Sequence, residues 1–469
     1  MEDAISKRIG QAAWEKLGVA AVMIAAVVLV LPHRYAITTF HEANTAGRVY
    51  AVQSLVHYGT WNLAPILCRS GFNHSIVDLS EREGVPYLEK APGVSWLGVP
   101  VYAVLAAANG GKKLPFHWTA MALGLLCVFL PVMVVALLLR REWSPGLGSR
   151  ASSIAVVVLL LATPFHVYSA MFQDYPLATM MLMAGWILIR RRSPWLISLG
   201  GLLLGYAGVV NYAFFLYGGL VGAVELARRV AAGEEWKLFS LTGVASAALP
   251  VLCLMVYDAT LFGGPFTTAY AFMINEGQRV SHARVAFSLG TLLRDFIGPK
   301  HGIFFIAPWT PIGLAGLLAA LREPRHRWLC LTGLAVVIAT LGFSSFWETS
   351  NADDMAFDRH LMPVFPWLAW GFGWMVQRAL TQSRVIYRAL IGFGAAGVAV
   401  GWFYELVTVW TFPYHSSRLF SPLWQVSIPL FMNGGHQPSV FYNLFEPYAP
   451  AVLPPGTTGC WWAVRCWPR

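Results

Sequence analysis

Apolar stretches of about 20 residues, separated by short polar connections, recur along most of this 469-residue chain. A stretch of that length crosses the ~30 Å hydrocarbon core of a bilayer as a helix, because a helix satisfies its own backbone polar groups without water. The pattern therefore predicts an all-α polytopic membrane protein with about 11 transmembrane helices. They are expected near residues 16–33, 118–139, 152–170, 176–190, 194–210, 212–227, 238–261, 302–321, 327–345, 362–379 and 386–410.

Basic residues mark every second connection between the predicted spans. Short loops rich in Lys and Arg stay in the cytoplasm, so the N-terminus is predicted to be cytoplasmic. Residues 1–410 then form one membrane domain, with 34–117 as a long first outer loop, and 411–469 form a tail outside the membrane. The clusters are Lys7, Arg8 and Lys16; Arg140, Arg141 and Arg150; Arg190, Arg191 and Arg192; Arg228, Arg229 and Lys237; Arg322, Arg325 and Arg327; and Arg378, Arg384 and Arg388.

The apolar stretch 93–108 is predicted to be a juxtamembrane or partly inserted helix. If it spanned the membrane, every later basic cluster would face outward, against the charge rule. Trp96 and Tyr102 are expected to hold it at the membrane interface. Its relation to the bilayer stays open at this point.

Composition supports the membrane assignment and limits the partners. The chain is 57% hydrophobic and 12% charged, with a mean hydropathy of +0.56, whereas soluble domains carry about 25% charge. The net charge of +10 calls for no nucleic-acid partner, because the basic clusters set topology and can meet anionic lipid headgroups. Glu225 stands in an apolar segment beside Arg228 and Arg229 and is interpreted as their ion-pair partner.

Two carboxylates of the predicted outer segments are candidates for acid–base chemistry. Glu42 follows the first predicted helix and could take a proton from a hydroxyl or amine acceptor. The alternative is an ordinary solvated loop residue. Asp174 lies at the next outer turn, where it could instead cap the following helix.

Basic residues at predicted outer helix entrances are candidates for phosphate binding. Arg359 and His360 precede one such helix, and Lys300 precedes another. Alternatively, Arg359 pairs with an acidic residue of its own loop, and Lys300 reaches for the interface. A divalent cation is possible but not favoured, because neighbouring acidic loop residues usually face water. These acidic residues are Asp353, Asp354 and Asp358.

Several short motifs resemble the GT-C membrane glycosyltransferases, which include the protein O-mannosyltransferases and the aminoarabinose transferase acting on lipid A. These are the acidic motif at His41-Glu42, the Tyr-x-x-Lys-x-Pro-Gly sequence at 87–93, Asp174 at the next outer turn, and the glycine-rich segment 201–208. Segments 298–308 and 347–366 are similar to those of related bacterial polytopic proteins.

The resemblance implies transfer of a hexosyl or pentosyl unit from a polyprenyl-phosphate donor to an acceptor lipid, polysaccharide or protein at the outer face of the bacterial inner membrane. The family's usual Asp-Glu pair is His41-Glu42 here, so either residue can be the base, and the departure could alter or abolish activity. Asp174 would orient the acceptor or the first-loop groups. The candidates for contacting the donor are Lys90, Glu89, Lys300, Arg359 and His360, with no cofactor or metal assigned.

Two other functions stay open on the sequence alone. A transporter or flippase for a lipid-linked saccharide needs polar residues along a route through the bilayer. The predicted helices place their polar groups on one face instead, which favours a surface active site. The third possibility is a non-catalytic member of the same family.

Overall fold

The computed structural model of this chain describes residues 13–14, 17–22, 24–25, 43–69, 78–274, 287–299, 302–346, 359–408, 421 and 423–433. His41, Glu42, Lys300, the three loop aspartates 353, 354 and 358, and most of the first predicted span and of the tail lie outside the described residues.

The described residues are almost entirely helical. The α-helices, in chain order, are α1 (Ala43–Tyr58), α2 (Ala64–Arg69), α3 (Gly93–Ala108), α4 (Phe116–Leu123), α5 (Leu130–Leu161), α6 (Phe165–Ser169), α7 (Asp174–Ile189), α8 (Pro194–Val210), α9 (Phe214–Ala231), α10 (Trp236–Phe262), α11 (Leu289–Ile297), α12 (Ile303–Ile306), α13 (Thr310–Ala320), α14 (Arg327–Phe346), α15 (Phe365–Gln382), α16 (Arg384–Thr408) and α17 (Ile428–Met432). π-Helical turns occupy Gly124–Phe129 and Leu423–Ser427, and 3₁₀ turns occupy Ala269–Phe272 and Arg359–Val364.

Four helical segments within the described ranges are long and apolar enough to cross a membrane: Trp118–Leu161, Trp236–Phe262, Arg327–Phe346 and Arg384–Tyr404. Helices α3, α7, α8 and α13 are apolar but shorter. The predicted spans 176–190 and 194–210 coincide closely with α7 and α8. The total of about 11 spans stays a prediction.

Helix α5 reverses direction at Gly148, which has a φ of 74° that favours glycine. Arg140 Nε donates to Ser153 Oγ at 3.0 Å. A separation of 13 residues would span ~20 Å in a straight helix, so the contact requires a sharp bend. The bend lies between the predicted spans 118–139 and 152–170, where the sequence predicts a short basic connection.

A short antiparallel hairpin precedes α3. Strand β1 (Leu79–Arg82) pairs with β2 (Val85–Leu88), with Leu79 opposite Leu88. The two turn residues, Glu83 and Gly84, have φ values of 55° and 78°, as a tight two-residue hairpin turn requires. The hairpin brings the residue before β1 beside the residues after β2.

Helix α3 packs inside the protein rather than only on its surface. Tyr102 is fully buried and its hydroxyl lies 3.0 Å from His57 Nε2, so its predicted role as an interfacial anchor is wrong. The ring of Trp96 packs edge-on against Tyr257 of α10, with 5.7 Å between ring centroids. The membrane role of α3 stays a prediction.

The basic connections meet at one end of the helices, called here the basic end. Arg190 and Arg191 donate to the Glu142 carboxylate at 3.0 and 2.5 Å. Arg325 donates to the Pro145 carbonyl at 2.7 Å. These contacts join the bend of α5 to the connections that follow α7 and α13, as expected if the clusters share one side of a membrane.

Glu225 of α9 is paired, as the sequence predicts. Its carboxylate accepts hydrogen bonds from Arg228 at 2.8 Å and from Arg229 at 3.0 Å. Arg229 also donates to the carbonyl of Ile189, the last residue of α7, at 2.8 Å. Arg229 therefore links α9 to the last residue of α7, at the basic end.

Candidate active site

A cluster of charged residues lies at the opposite end of α7. It is called here the charged cluster and is built from the first turns of α1, the β-hairpin, the first residue of α7 and the 3₁₀ turn at 359–364. Its six charged members are Arg48, Asp78, Glu89, Lys90, Asp174 and Arg359.

The first part of the cluster is a buried ion pair between α1 and α7. Arg48 Nη2 lies 3.1 Å from Asp174 Oδ1, and the Arg48 side chain is 1% exposed. Asn211, at the end of α8, donates to Asp174 Oδ2 at 2.8 Å. Gln173 occupies the N-cap position of α7, so the alternative of Asp174 as a helix cap is wrong. Its carboxylate ties three helices together.

The hairpin supplies the second part of the cluster. Glu89 N donates to Asp78 O at 3.4 Å, because the pairing of β1 with β2 places these residues side by side. The Lys90 ammonium lies 3.4 Å from Asp78 Oδ1 and also contacts the Glu89 carboxylate. The same ammonium lies 5.7 Å from the centre of the Tyr270 ring.

Asn44 of α1 joins the two parts. With its amide nitrogen facing the hairpin, Asn44 donates to Asp78 Oδ2 at 2.9 Å and accepts from Arg359 Nη1 at 3.0 Å. The Arg359 guanidinium lies over the Tyr175 ring at 5.9 Å. The hydroxyl of Tyr175 lies 2.5 Å from His360 Nδ1.

Two cations of the cluster keep their charge firmly. Burial alone would lower the pKa of Lys90, but the charges of Asp78, Tyr270 and Glu89 outweigh it and raise that pKa above its ordinary value of 10.5. Burial likewise opposes the charge of Arg359, yet its anionic neighbours raise the pKa of the guanidinium. Both side chains are therefore cationic at neutral pH.

Glu89 is the most deeply buried carboxylate of the cluster. It is fully buried, and its Oε2 has no hydrogen-bond partner among the described residues. Burial raises the pKa of Glu89 above 4.5, although the nearby Lys90 ammonium acts against this. The carboxyl group of Glu89 is therefore protonated more readily than that of an ordinary glutamate.

The structure brings together Asp174, Lys90, Glu89, Arg359 and His360, which the sequence proposes from separate segments. It adds Arg48, Asp78 and Asn211 as contributors to which sequence reasoning assigned no role; of these, Arg48 belongs to the polar motif that follows Glu42. The signal for Asp78 is the short alternating segment around the Glu83-Gly84 turn, which places it opposite Glu89. Within the described ranges, no three His, Cys, Asp or Glu side chains converge as a metal site would need.

No protein-family model matches the chain, and no curated protein sequence matches it. Among solved structures, it superposes on the ArnT of Cupriavidus metallidurans bound to undecaprenyl phosphate with a TM-score of 0.51, at 16% identity over 84% of this chain and 72% of that one. The apo ArnT of the same organism gives 0.51 at 17% identity, over 82% of this chain and 63% of that one. An oligosaccharyltransferase of Archaeoglobus fulgidus, tethered to an acceptor peptide, aligns with a TM-score of 0.46 at 12% identity, over 84% and 55%.

ArnT is an aminoarabinose lipid A transferase and a member of the GT-C superfamily. The resemblance predicted from the motifs is therefore confirmed for the fold. The chain is an integral membrane protein that shares the fold of the ArnT structures, and four helical segments among its described residues are long and apolar enough to cross a membrane.

Proposed function

We propose that this protein is an inner-membrane glycosyltransferase that transfers a hexosyl or pentosyl unit from a polyprenyl-phosphate donor to an acceptor lipid, polysaccharide or protein. The observation that carries the proposal is the charged cluster. In it, Lys90 and Arg359 both lie beside the first turns of α1, on a GT-C fold. Glu42 is two residues before Asn44 in the sequence, so a candidate base adjoins the helix that lines the cluster.

Lys90 and Arg359 are suited to contact the donor phosphate. Asn44 takes one of the five N–H donors of the Arg359 guanidinium, whose planar fork matches two phosphate oxygens. Lys90 is held in place by Asp78 and Glu89 and adds a compact positive charge. His360 and Lys300 are further candidates for the same phosphate, the latter outside the described residues.

The proposed reaction is a single displacement. Glu42, or His41, takes the proton from the acceptor hydroxyl or amine. The acceptor atom then forms a bond to the anomeric carbon while the bond from that carbon to the phosphate oxygen breaks, which inverts the configuration. The electron pair leaves with the polyprenyl phosphate, whose charge Lys90 and Arg359 stabilise. Asp174 acts as a positioning residue, because it holds Arg48 and Asn211.

The same proposal assigns the two ends of the molecule to the two sides of the membrane. The basic end is cytoplasmic by the charge rule, so the charged cluster faces outward, at the level where the donor headgroup lies. The tail 411–469 is then outside the membrane as well.

A transfer assay tests the proposal. Purified protein is given radiolabelled polyprenyl-phosphate hexoses and pentoses together with cell-envelope fractions, and the label in envelope components is measured. Wild type is expected to transfer label, and Glu42→Gln to lose about 100-fold or more of the rate. Glu81→Gln, at an exposed position of β1, serves as the matched control and is expected to behave like wild type.

Other outcomes assign the site differently. Loss in His41→Ala with full activity in Glu42→Gln would make His41 the base. Accumulation of labelled lipid across vesicles, without covalent transfer, would replace the proposal with transport of a lipid-linked saccharide. Full activity in both variants would exclude the proposed base altogether.

A further inference from the structure

Asp258 is a buried carboxyl group for which the proposed reaction has no use. It lies on α10, four residues before the helix ends at Phe262. It is 2% exposed, and its Oδ1 has no hydrogen-bond partner among the described residues. An ionisable side chain within an apolar helix is costly to bury, so an unsatisfied one is a candidate for ligand binding.

Two tyrosines connect Asp258 to the charged cluster. Asp258 interacts electrostatically with Tyr212, whose ring centroid lies 5.9 Å from that of Tyr270. The Tyr270 ring in turn lies 5.7 Å from the Lys90 ammonium. Both tyrosines are half-buried, so part of each side chain remains accessible.

Further aromatic side chains flank the same region. The Tyr257 ring, next to Asp258 in α10, packs edge-on against Trp61 at 5.5 Å and Trp96 at 5.7 Å. Phe262 packs against Tyr87 of β2 at 5.6 Å. Aromatic walls with a few well-placed polar groups are typical of small-molecule sites.

We propose that Asp258, Tyr212 and Tyr270 form the subsite for the sugar ring of the donor, in which Asp258 accepts a hydrogen bond from a sugar hydroxyl. This inference rests on the proposed function and on Lys90 as a ligand of the donor phosphate. The anomeric carbon is bonded to that phosphate, so the sugar ring must lie directly beside Lys90, and Tyr270 borders Lys90. Asp258 then discriminates among sugars, because a buried acceptor penalises a donor that leaves it unpaired.

Binding measurements separate the sugar subsite from the phosphate site. Wild type and Asp258→Asn, in lipid nanodiscs, are titrated with undecaprenyl phosphate and with a panel of undecaprenyl-phosphate hexoses and pentoses. Wild type is expected to bind at least one glycosylated lipid about tenfold more tightly than the bare phosphate. Asp258→Asn is expected to lose about tenfold of that advantage and to bind the bare phosphate within about twofold of wild type.

Two further variants distinguish a loss of sugar binding from a purely structural effect of the substitution. Tyr212→Ala removes the ring and is expected to reproduce the selective loss. Thr260→Ala changes an exposed residue on the same helix and is expected to change neither affinity. Equal loss of both lipids in Asp258→Asn, together with a lowered unfolding temperature, would show that Asp258 only supports the fold and would overturn the subsite.

The remaining outcomes distinguish this inference from the proposed function. Wild-type affinities in Asp258→Asn, or no preference of wild type for any glycosylated lipid, would overturn the subsite. Covalent transfer by wild type in the assay with cell-envelope fractions would leave the glycosyltransferase assignment standing in either case. Absence of transfer would instead count against that assignment.

Discussion

The two ends of helix α7 hold their charges in different ways. At the end near Ile189, the pairs of Glu142 are partly in water, since Arg191 is 46% exposed, whereas the pair of Arg229 with Glu225 is buried, at 4% and 5% exposed. At the end that begins with Asp174, the partner Arg48 is 1% exposed. Both ends therefore contain a buried arginine–carboxylate pair, and the end near Ile189 adds pairs that are partly hydrated.

In our proposal the hydrated pairs and the buried charged cluster have different roles: the hydrated pairs accompany the charges that set topology, and the buried cluster forms a site. Exposed pairs contribute little to stability, and a surplus of arginines at one end is enough to orient the protein in the membrane. Buried pairs cost desolvation energy that attraction only partly offsets, so a cluster of them needs another reason to exist. Ligand binding by Lys90 and Arg359 is that reason in our proposal.

The largest effect is expected on breaking the buried pair. Asp174→Asn leaves the Arg48 guanidinium buried without its carboxylate, which costs about 3–5 kcal/mol. Thermal unfolding of the purified protein should show a marked fall in Tm. Replacing Arg48 by Met in the same chain removes the stranded charge and should recover most of the loss. A single variant as stable as wild type would show that the pair contributes nothing.

Next in size is the effect of removing the lysine of the hairpin. Lys90→Gln loses a charged contact to the donor phosphate, and its affinity for undecaprenyl phosphate should fall about 10- to 100-fold. Lys112→Gln removes an equal charge from an exposed position and should change affinity less than about twofold. Equal losses in the two variants would mean that the overall positive charge of the protein, rather than a contact with Lys90, attracts the lipid.

The hydrated ion pairs of the basic end should tolerate the loss of one charge. Glu323 lies 2.6 Å from Arg378, with their side chains 34% and 51% exposed. Glu323→Gln should alter the free energy of unfolding by less than about 1 kcal/mol, because the pair is hydrated. A loss in Tm as large as that of Asp174→Asn would contradict the contrast between the two ends.

The smallest effect is expected from pH. The folded pKa of Lys90 lies above its ordinary value of 10.5, so the stability and phosphate affinity that its charge provides are fully present below that pH. They are lost only as pH rises through the folded value. Affinity for undecaprenyl phosphate should therefore change less than about twofold between pH 7 and pH 9. A steep loss by pH 9 would show that the acidic neighbours do not hold this proton.

Much of the helical architecture is readable from the sequence, since long apolar runs need no knowledge of their neighbours. Helices α7 and α8 fall where their hydrophobic segments predict, and the basic clusters identify connections that meet in space. Tyr102 shows the limit of this reasoning. An aromatic residue within an apolar segment can anchor at the interface or pack inside, and the buried contact with His57 shows that Tyr102 packs inside.

From the sequence alone, the residues of the site can be identified only as separate candidates. Asp174, Lys90 and Arg359 stand out because each is a charge at the end of an apolar segment. Asp78 becomes part of the site through strand pairing, and Arg48 through its ion pair with the first residue of α7, which are both contacts between distant parts of the chain. Asp258 is a single carboxyl in a long apolar helix, and its significance depends on what surrounds it.

The number of residues in the hairpin strands determines the direction in which the Lys90 side chain points. Successive residues of a strand point to opposite faces, so one residue added to β2 would turn every later side chain around. A single insertion between Val85 and Leu88 should direct Lys90 away from Asp78, whereas an insertion of two residues should restore its direction. If Lys90 binds the donor as we propose, donor binding should survive insertion of an even number of residues in β2 and be lost on insertion of an odd number.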